Sequence, residues 1–566
     1  MHYRKRNAMK KNFLKIISLL LVIATLSLMV SCDLSSMLED IAPEDLGNGQ
    51  ENGATGEIKF TLEATEPSKD IEENTEEETE AETEKETSEY GEPIFTPSIP
   101  TNELDFEGEM LTVMLRDNEI TKRQWYKESP EDVLDEAVAK RNASVEEALN
   151  LQIIYDIIPY GQFDVGTVNY NNIIITDVNN DLHYYDIVDH WALAGGYMSI
   201  RDYHANLLDQ DIFPYFDFDL PCWNQSVCNG NGVVNNRLHL ITGALNTTQF
   251  DMAAVFWYNK SLYDHVKEPS DHDDIQDLAL AGQWTYDELF RWSQRLYENT
   301  NGEEGRQTDD IYGFATQSAN LNTQPIPKDA ISAAFDIDLL TTNPDGTHSY
   351  NIVGNNKIER AREMWIDIFK QPGTIDGGSA ENFANGHYLF WASTIYSGKQ
   401  DNIAIRQMAD KYGILPMPKY DRYQDKYYTS SFDSYSLMSV LDHSNSSIPI
   451  KGEAVSAFLQ LTAEESYTYI RDAYFDTIIK PKFFATDDTE GTISKSRELF
   501  DIIVDNIRFD FWNVYTAHLN HLLWKFRTSL LEDWDSLEAA YMKEQATFDK
   551  ALLEVDAWFG LITLDE

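Results

Sequence analysis

Cysteine is scarce in this chain of 566 residues: there are three, Cys32, Cys222 and Cys228. Three cysteines cannot build a disulfide scaffold, and their spacing does not offer the four ligands of a structural zinc site. Positive charge is scarce as well, with 44 Lys and Arg against 96 Asp and Glu, a net charge of −52. Such a chain lacks the basic face that binds nucleic acid through its phosphates, and it does not dock electrostatically onto anionic lipid. Several chemistries lack their motifs. There is no Gly-x4-Gly-Lys-Ser/Thr phosphate loop, no His-Glu-x-x-His and no Gly-x-Ser-x-Gly elbow. Gly230-Asn231-Gly232 is without the third glycine of a dinucleotide fingerprint, and Asp271-His272-Asp273-Asp274 is without calcium-loop spacing. His518 and His521 share a helix face but have no third ligand near them in sequence. No metal and no cofactor are expected. No internal repeat is visible. The one long apolar run, Ile16 to Val30, is shorter than the roughly 20 residues that span a bilayer.

That run follows Arg4, Lys5, Arg6, Lys10, Lys11 and Lys15. A basic flank before a short apolar core is the pattern of a secretory signal peptide. The run ends at Leu28-Met29-Val30-Ser31-Cys32, which resembles the lipobox of bacterial lipoproteins, with Met29 where Leu is usual. The resemblance implies that residues 1–31 are a lipoprotein signal peptide and that Cys32 carries a diacylglycerol and palmitate-type lipid. The protein would then be exported and lipid-anchored to the outer face of the cell membrane without crossing it, since each buried CH₂ contributes about 0.8 kcal/mol. Residues 32–102 read as an acidic disordered tether. Between Asp33 and Pro100 there are 21 acidic residues and 3 lysines, with few aromatics, too little apolar surface to offset the entropy of ordering. Like charges extend such a linker.

With +6 on the first 32 residues and −18 on the tether, −40 remains on residues 101–566. A body of this length is too long for one core and predicts two or more lobes. Its large cores can draw on 12 Trp, 30 Tyr and 27 Phe. In an exported protein, Cys222 and Cys228 are expected to close a local disulfide. The runs 110–115, 151–155, 185–188 and 253–258 read as strands. Ser129-Pro130-Glu131-Asp132 opens a helix whose apolar positions recur through Leu149. Strand, helix and strand over this span predict a parallel, right-handed α/β unit. Thr285-Tyr286-Asp287-Glu288 is a capping box, Asn343-Pro344-Asp345-Gly346 a turn between short strands, and Lys357 to Lys370 a helix. From about Ala454 the chain is mostly helical in period, and the stripe Leu537, Tyr541, Phe548, Leu552 and Trp558 reads as core.

Four segments, in order, resemble family-1 extracellular solute-binding proteins of the carbohydrate-uptake type. They are Ala137-Val138-Ala139-Lys140-Arg141-Asn142 running into Leu149–Ile153, Phe256-Trp257-Tyr258-Asn259-Lys260-Ser261-Leu262, Gly282-Gln283-Trp284-Thr285-Tyr286-Asp287-Glu288-Leu289, and Phe383-Ala384-Asn385-Gly386 followed by Tyr412–Lys419 with its Gly-x-x-Pro-x-Pro strand. The resemblance implies a two-lobed periplasmic-binding-protein-like fold of type II, with ligand held between the lobes. Lobe 1 would comprise 103–250 plus about 380–430, and lobe 2 would comprise 251–379 plus about 431–566. It also implies a monomer that is not an enzyme, carries a sugar or oligosaccharide, and docks onto ABC permease subunits. A glycan-adhesion lipoprotein and a glycoside-active enzyme are the alternatives.

Sugars suit aromatic platforms flanked by carboxylates and amides, and open α/β sheets bind ligands at strand C-terminal ends. Candidate contacts are therefore Asp117 and Asn118 beyond the first strand, Asp189 and Trp191 (flanking His190) beyond the third, and Trp223 and Asn224 in the Cys222–Cys228 loop. Trp391, and Asp433 and Tyr435 (near Phe432 and Ser436), complete the set. Tyr258, Asn259 and Trp284 read as scaffold.

Overall fold

The computed structural model describes residues 95–564, apart from 128, 160–164, 317–325, 399–404, 406–407, 444–445, 447 and 480–488. The signal peptide, the lipobox with Cys32 and most of the tether lie outside the described residues. Twelve strands run through the described chain: β1 Glu109–Arg116, β2 Leu151–Ile158, β3 Ile187–Trp191, β4 Ala254–Asn259, β5 Tyr297–Glu298, β6 Ile311–Thr316, β7 Leu340–Thr342, β8 His348–Tyr350, β9 Thr374–Ile375, β10 Tyr388–Thr394, β11 Tyr412–Pro416 and β12 Ser436–Val440.

The first sheet has the order β12-β3-β1-β2. β1 is parallel to β2, with Val113 opposite Tyr155, and parallel to β3, with Val113 opposite Ile187. Leu111, Val113, Met114 and Leu115 are all buried, because a parallel strand between two neighbours is covered on both faces. The crossover helix Val133–Leu149 is capped by Asp132, whose carboxylate accepts from the Asp135 amide, and it ends at Asn150 in the left-handed conformation. The expected start at Ser129-Pro130 thus moves inward to the nearest carboxylate able to cap. β12 joins antiparallel to β3, with Met438 opposite Asp189.

The second sheet is built around β4, in which all six residues are buried. β10 and β11 flank it, both antiparallel, and the order runs β11-β4-β10-β6-β5 with β9 on β6. Two separate sheets, each with helices packed against it, make the molecule two-lobed α/β, and buried residues of both share one continuous hydrophobic core. The strand pairing corrects the division of the chain expected from sequence. Residues 388–416 belong to the second sheet, where Gly413 lies opposite Tyr258, and 436–440 belong to the first. The return to the first sheet therefore comes after β11, and the Gly-x-x-Pro-x-Pro strand stays beside β4. The helical C-terminal part serves both sheets. Helix Gly452–Glu465 packs on Val133–Leu149, and helix Thr489–Asp505 packs on β11 and on helix Ile275–Leu280.

The β7–β8 hairpin turns at Asn343–Gly346, with Gly346 at φ 88°. Tyr350 on β8 meets Tyr541 and Phe548 at ring distances of 5.3 and 5.4 Å. Leu537 and Leu552 are buried and Trp558 half-buried, so the C-terminal stripe is core. The last residues assigned to the tether are part of the body. Ile99 is buried, Phe95 meets Tyr469 edge-on at 6.2 Å, and the Ser98 amide donates to Glu464 at 2.9 Å. Among the described residues no helix is long and apolar enough to cross a membrane.

Candidate functional site

A cavity of about 620 Å³ is walled by segments attached to both sheets. Pro221 to Ser226, Asn231, Gly243, Ala244, Gln249 and Phe250, from the chain between β3 and β4, form one side. Asp336 and Asp338, behind helix Ile326–Ala334, and Lys426 and Tyr428, between β11 and β12, form another. Tyr467, Arg471 and Val504 to Arg508 complete the wall. The volume lies in the range that holds small molecules, roughly 300–1,000 Å³.

Local structure explains how these groups reach the wall. Trp223 pairs with Gly243 in an isolated bridge, the Asn224 amide donating to Thr242 O and the Ala244 amide to Cys222 O. A Cβ at position 243 would lie 2.3 Å from Cys222 O, so only glycine fits there. The Trp223 ring rests edge-on against Phe216 and Phe218, and its indole donates to Gln460 Oε1 at 3.0 Å. Asn224 Nδ2 donates to Gln249 Oε1 at 3.3 Å and to Ile507 O at 3.2 Å, tying the two walls together. Thr429 and Ile507 pair in parallel beneath them.

The two guanidinium groups of the wall are each held by carboxylates. Arg508 donates to Asp336 at 2.7 Å, to Asp510 at 2.9 Å and also to Asp338. Arg471 donates to Asp501 at 2.7 and 3.0 Å and to Asp505 at 2.6 Å. The rest of the lining is amides and a hydroxyl (Asn224, Gln225, Ser226, Asn231, Asn506), which also bond within the wall, together with Lys426 and the rings of Trp223, Tyr428 and Tyr467. That surface suits an uncharged, many-hydroxyl solute.

Of the nine residues singled out from sequence as ligand contacts, Trp223 and Asn224 line this cavity. Four others are buried: Asp189 and Trp191 within β3, and Asp433 and Tyr435 just before β12. Asp189 is fully enclosed and saturated. It accepts from Arg116 at 3.0 and 3.2 Å, from Ser436 at 2.9 Å, from Gln124 at 2.8 Å and from the Trp125 indole at 2.7 Å. Burial pushes its pKa up while Arg116 opposes the shift. Trp191 is buried and bonds the Asp433 carboxyl. Burial and the neighbouring Asp329 raise Asp433 to about 7, against the pull of Arg527, Ser434 and Trp191. Tyr435 is buried too, its pKa raised by burial. The remaining three have scaffold duties. Asp117 is paired with Lys122 at 3.0 Å. Asn118 caps helix Glu119–Trp125 by accepting from the Ile120 and Thr121 amides. Trp391 is buried in β10, stacked on Phe383 at 5.8 Å.

Cys222 and Cys228 are free thiols rather than the expected disulfide. Both side chains are committed to the core, and Cys228 Sγ donates to Thr242 O at 3.5 Å. Burial pushes both thiols up, Cys228 to about 12, so neither is a ready thiolate. Sequence reasoning missed Tyr428, Tyr467, Arg471, Asn506 and Arg508. Tyr428 lies in the crossing before β12, Tyr467 and Arg471 in the C-terminal helices, and Asn506 and Arg508 just past helix Thr489–Asp505, where the only visible signal was apolar period.

No protein-family model matches the chain, and no curated protein matches it. Solved structures similar to it include the cyclic α-maltosyl-1,6-maltose binding protein from Arthrobacter globiformis. That match has 12% identity and a TM-score of 0.49, over 80% of this chain and 99% of the other. The sugar-binding protein MalE from Xanthomonas citri matches at 13% identity and a TM-score of 0.49, over 80% and 99%. An ABC substrate-binding protein from Listeria monocytogenes, in complex with cycloalternan, matches at 12% identity and a TM-score of 0.43, over 80% and 99%. The chain is similar to these solute-binding proteins.

Proposed function

We propose that this protein is the extracytoplasmic solute-binding subunit of an ABC importer, capturing a sugar or oligosaccharide in the 620 Å³ cavity and delivering it to membrane permease subunits. It acts as a monomer held to the outer face of the membrane by lipid on Cys32. The observation that carries the reading is the cavity wall: aromatic rings and amides, with every guanidinium locked to carboxylates, drawn from segments attached to both sheets. The four sequence segments that resemble carbohydrate-uptake binding proteins support the same reading. The chemistry of the wall favours binding over hydrolysis. Glycoside hydrolysis uses two carboxyl groups free to act on the glycosidic bond, one as acid. Asp336, Asp338 and Asp505 instead each face an arginine.

The test is binding of oligosaccharides to the chain and to variants of the wall. Tyr467→Ala and Asn506→Ala remove partly exposed groups whose loss does not open the core. Each is expected to weaken the bound sugar about tenfold, some 1.4 kcal/mol, with the unliganded unfolding midpoint unchanged. Undiminished affinity in both variants would move the site elsewhere, and release of cleaved sugar would replace binding by catalysis.

A further inference from the structure

Away from the cavity, we propose that Asp181, His183 and His443 form a binding site for one divalent transition-metal ion of the zinc class. Asp181 and His183 lie between helix Val165–Asn179 and β3, and His443 lies just past β12. Because β12 runs antiparallel to β3, with Val440 opposite Ile187, the start of one strand and the end of the other meet at one edge of the first sheet. There the two imidazoles stack, with ring centroids 3.9 Å apart. His183 Nε2 lies 2.8 Å from Asp181 Oδ1 and 2.8 Å from Ser446 Oγ. One donor atom from each of Asp181, His183 and His443 falls within 4.8 Å of the others.

His443 gives the second, independent observation. It is 7% exposed, and neither of its ring nitrogens makes a hydrogen bond to a described residue. Asp177 approaches its Nε2 only to 3.7 Å, and the Asp177 oxygens already accept from the Tyr184 and Tyr185 amides. A buried imidazole needs a partner for its nitrogens, and a coordinated cation supplies one. A small cavity of about 40 Å³ touches both histidines, and a water-sized occupant needs some 10–15 Å³. Lys451 also borders it, but is held by Asp186 at 3.2 Å, so Asp177, Asp181 and Asp186 leave the edge net negative.

Two imidazoles and one carboxylate select a borderline metal such as zinc over calcium or magnesium, which prefer all-oxygen shells. Zinc–nitrogen bonds of about 2.0–2.1 Å require the donors to draw closer than they stand, with the stacked rings turning apart around the ion. A water or the Ser446 hydroxyl fills a fourth position, and Asp177 becomes the outer carboxylate that orients His443. The ion would clamp the loop entering β3 to the segment leaving β12, a structural role separate from the solute cavity. Local sequence spacing could not announce it, since two ligands sit close together and the third follows some 260 residues later.

The test is a titration of the chelator-stripped chain with Co²⁺, followed by Zn²⁺. The expected result is one equivalent of Co²⁺ giving the intense visible absorption of a tetrahedral site with nitrogen ligands, displaced by one equivalent of Zn²⁺. His183→Ala, half-buried, and Asp181→Asn, at the surface, should each weaken Zn²⁺ at least tenfold, with Asp181→Asn leaving the metal-free unfolding midpoint unchanged. His443→Gln should abolish the cobalt spectrum. Weak binding at many sites without that spectrum, or Zn²⁺ affinity equal in the chain and in His183→Ala, would overturn the proposal. Sugar binding is expected to be the same with and without the ion, so the two proposals succeed or fail separately.

Discussion

Asp433 shows how a carboxyl group is held in a place that water does not reach. Burial and Asp329 bring its pKa to about 7, while Arg527, locked onto Asp329 at 2.6 and 2.7 Å, limits the rise. Between the unfolded value near 3.9 and the folded value near 7, the native state keeps a proton that the unfolded chain has released, so this group costs stability as pH rises through that window. Asp433→Asn is therefore expected to match the parent at pH 4 and to exceed it at pH 8 by up to about 4 kcal/mol, read from urea midpoints. His190 has the opposite sign. Burial and Arg116 depress it to about 3, so its contribution is complete above pH 6.5 and is lost as pH falls from 6.5 toward 3. His190→Asn should flatten the acid limb of the same titration. Asp189 separates scaffold from ligand contact. Asp189→Ala strands the buried Arg116 and should lower stability by about 3–5 kcal/mol, whether or not a sugar is present.

At the level of elements, caps and dockings carry measurable increments. The Thr285 side chain accepts from the Glu288 amide and starts helix Tyr286–Ser293, so Thr285→Ala should cost about 1 kcal/mol in chemical unfolding. Ile99 is packed into the body, and Ile99→Ala should cost about 2 kcal/mol, although the residue lies in a stretch that reads as linker. These two cases bracket what the sequence could tell. β1, β2, β4, the helix at Thr285 and the hairpin at Asn343–Gly346 were legible, because period, caps and turn residues are local signals. The partner of a strand is not local. β11, Tyr-Gly-Ile-Leu-Pro, is apolar throughout and would suit either sheet. Only its antiparallel register on β4, with Gly413 against the Tyr258 ring, assigns it to the second. The site was less legible still. Trp223 and Asn224, which line the cavity, follow a loop signal in the sequence. Arg471 in a helix and Arg508 just past one were missed because a lone guanidinium looks like any solvated surface charge until its carboxylates are seen around it. Trp191 and Trp391, aromatics that the sequence offered as contacts, are buried and lie off the cavity wall.

The molecule as a whole is two sheets joined by the chain before β4 and the chain before β12, with a hydrophobic core continuous between them and C-terminal helices packed around both. The cavity sits among those joining segments, so a solute that fills it touches groups attached to both sheets and stabilises the folded chain as a unit. The most direct measurement is thermal unfolding of the protein against a panel of oligosaccharides, polyols and peptides, with the sugar recovered afterwards and examined for cleavage. A raised midpoint is expected with one class of oligosaccharide, corresponding to about 2.7 kcal/mol at a hundredfold excess over its dissociation constant, with the sugar returned intact. No shift with any sugar, or a shift followed by cleavage, would contradict the proposed function.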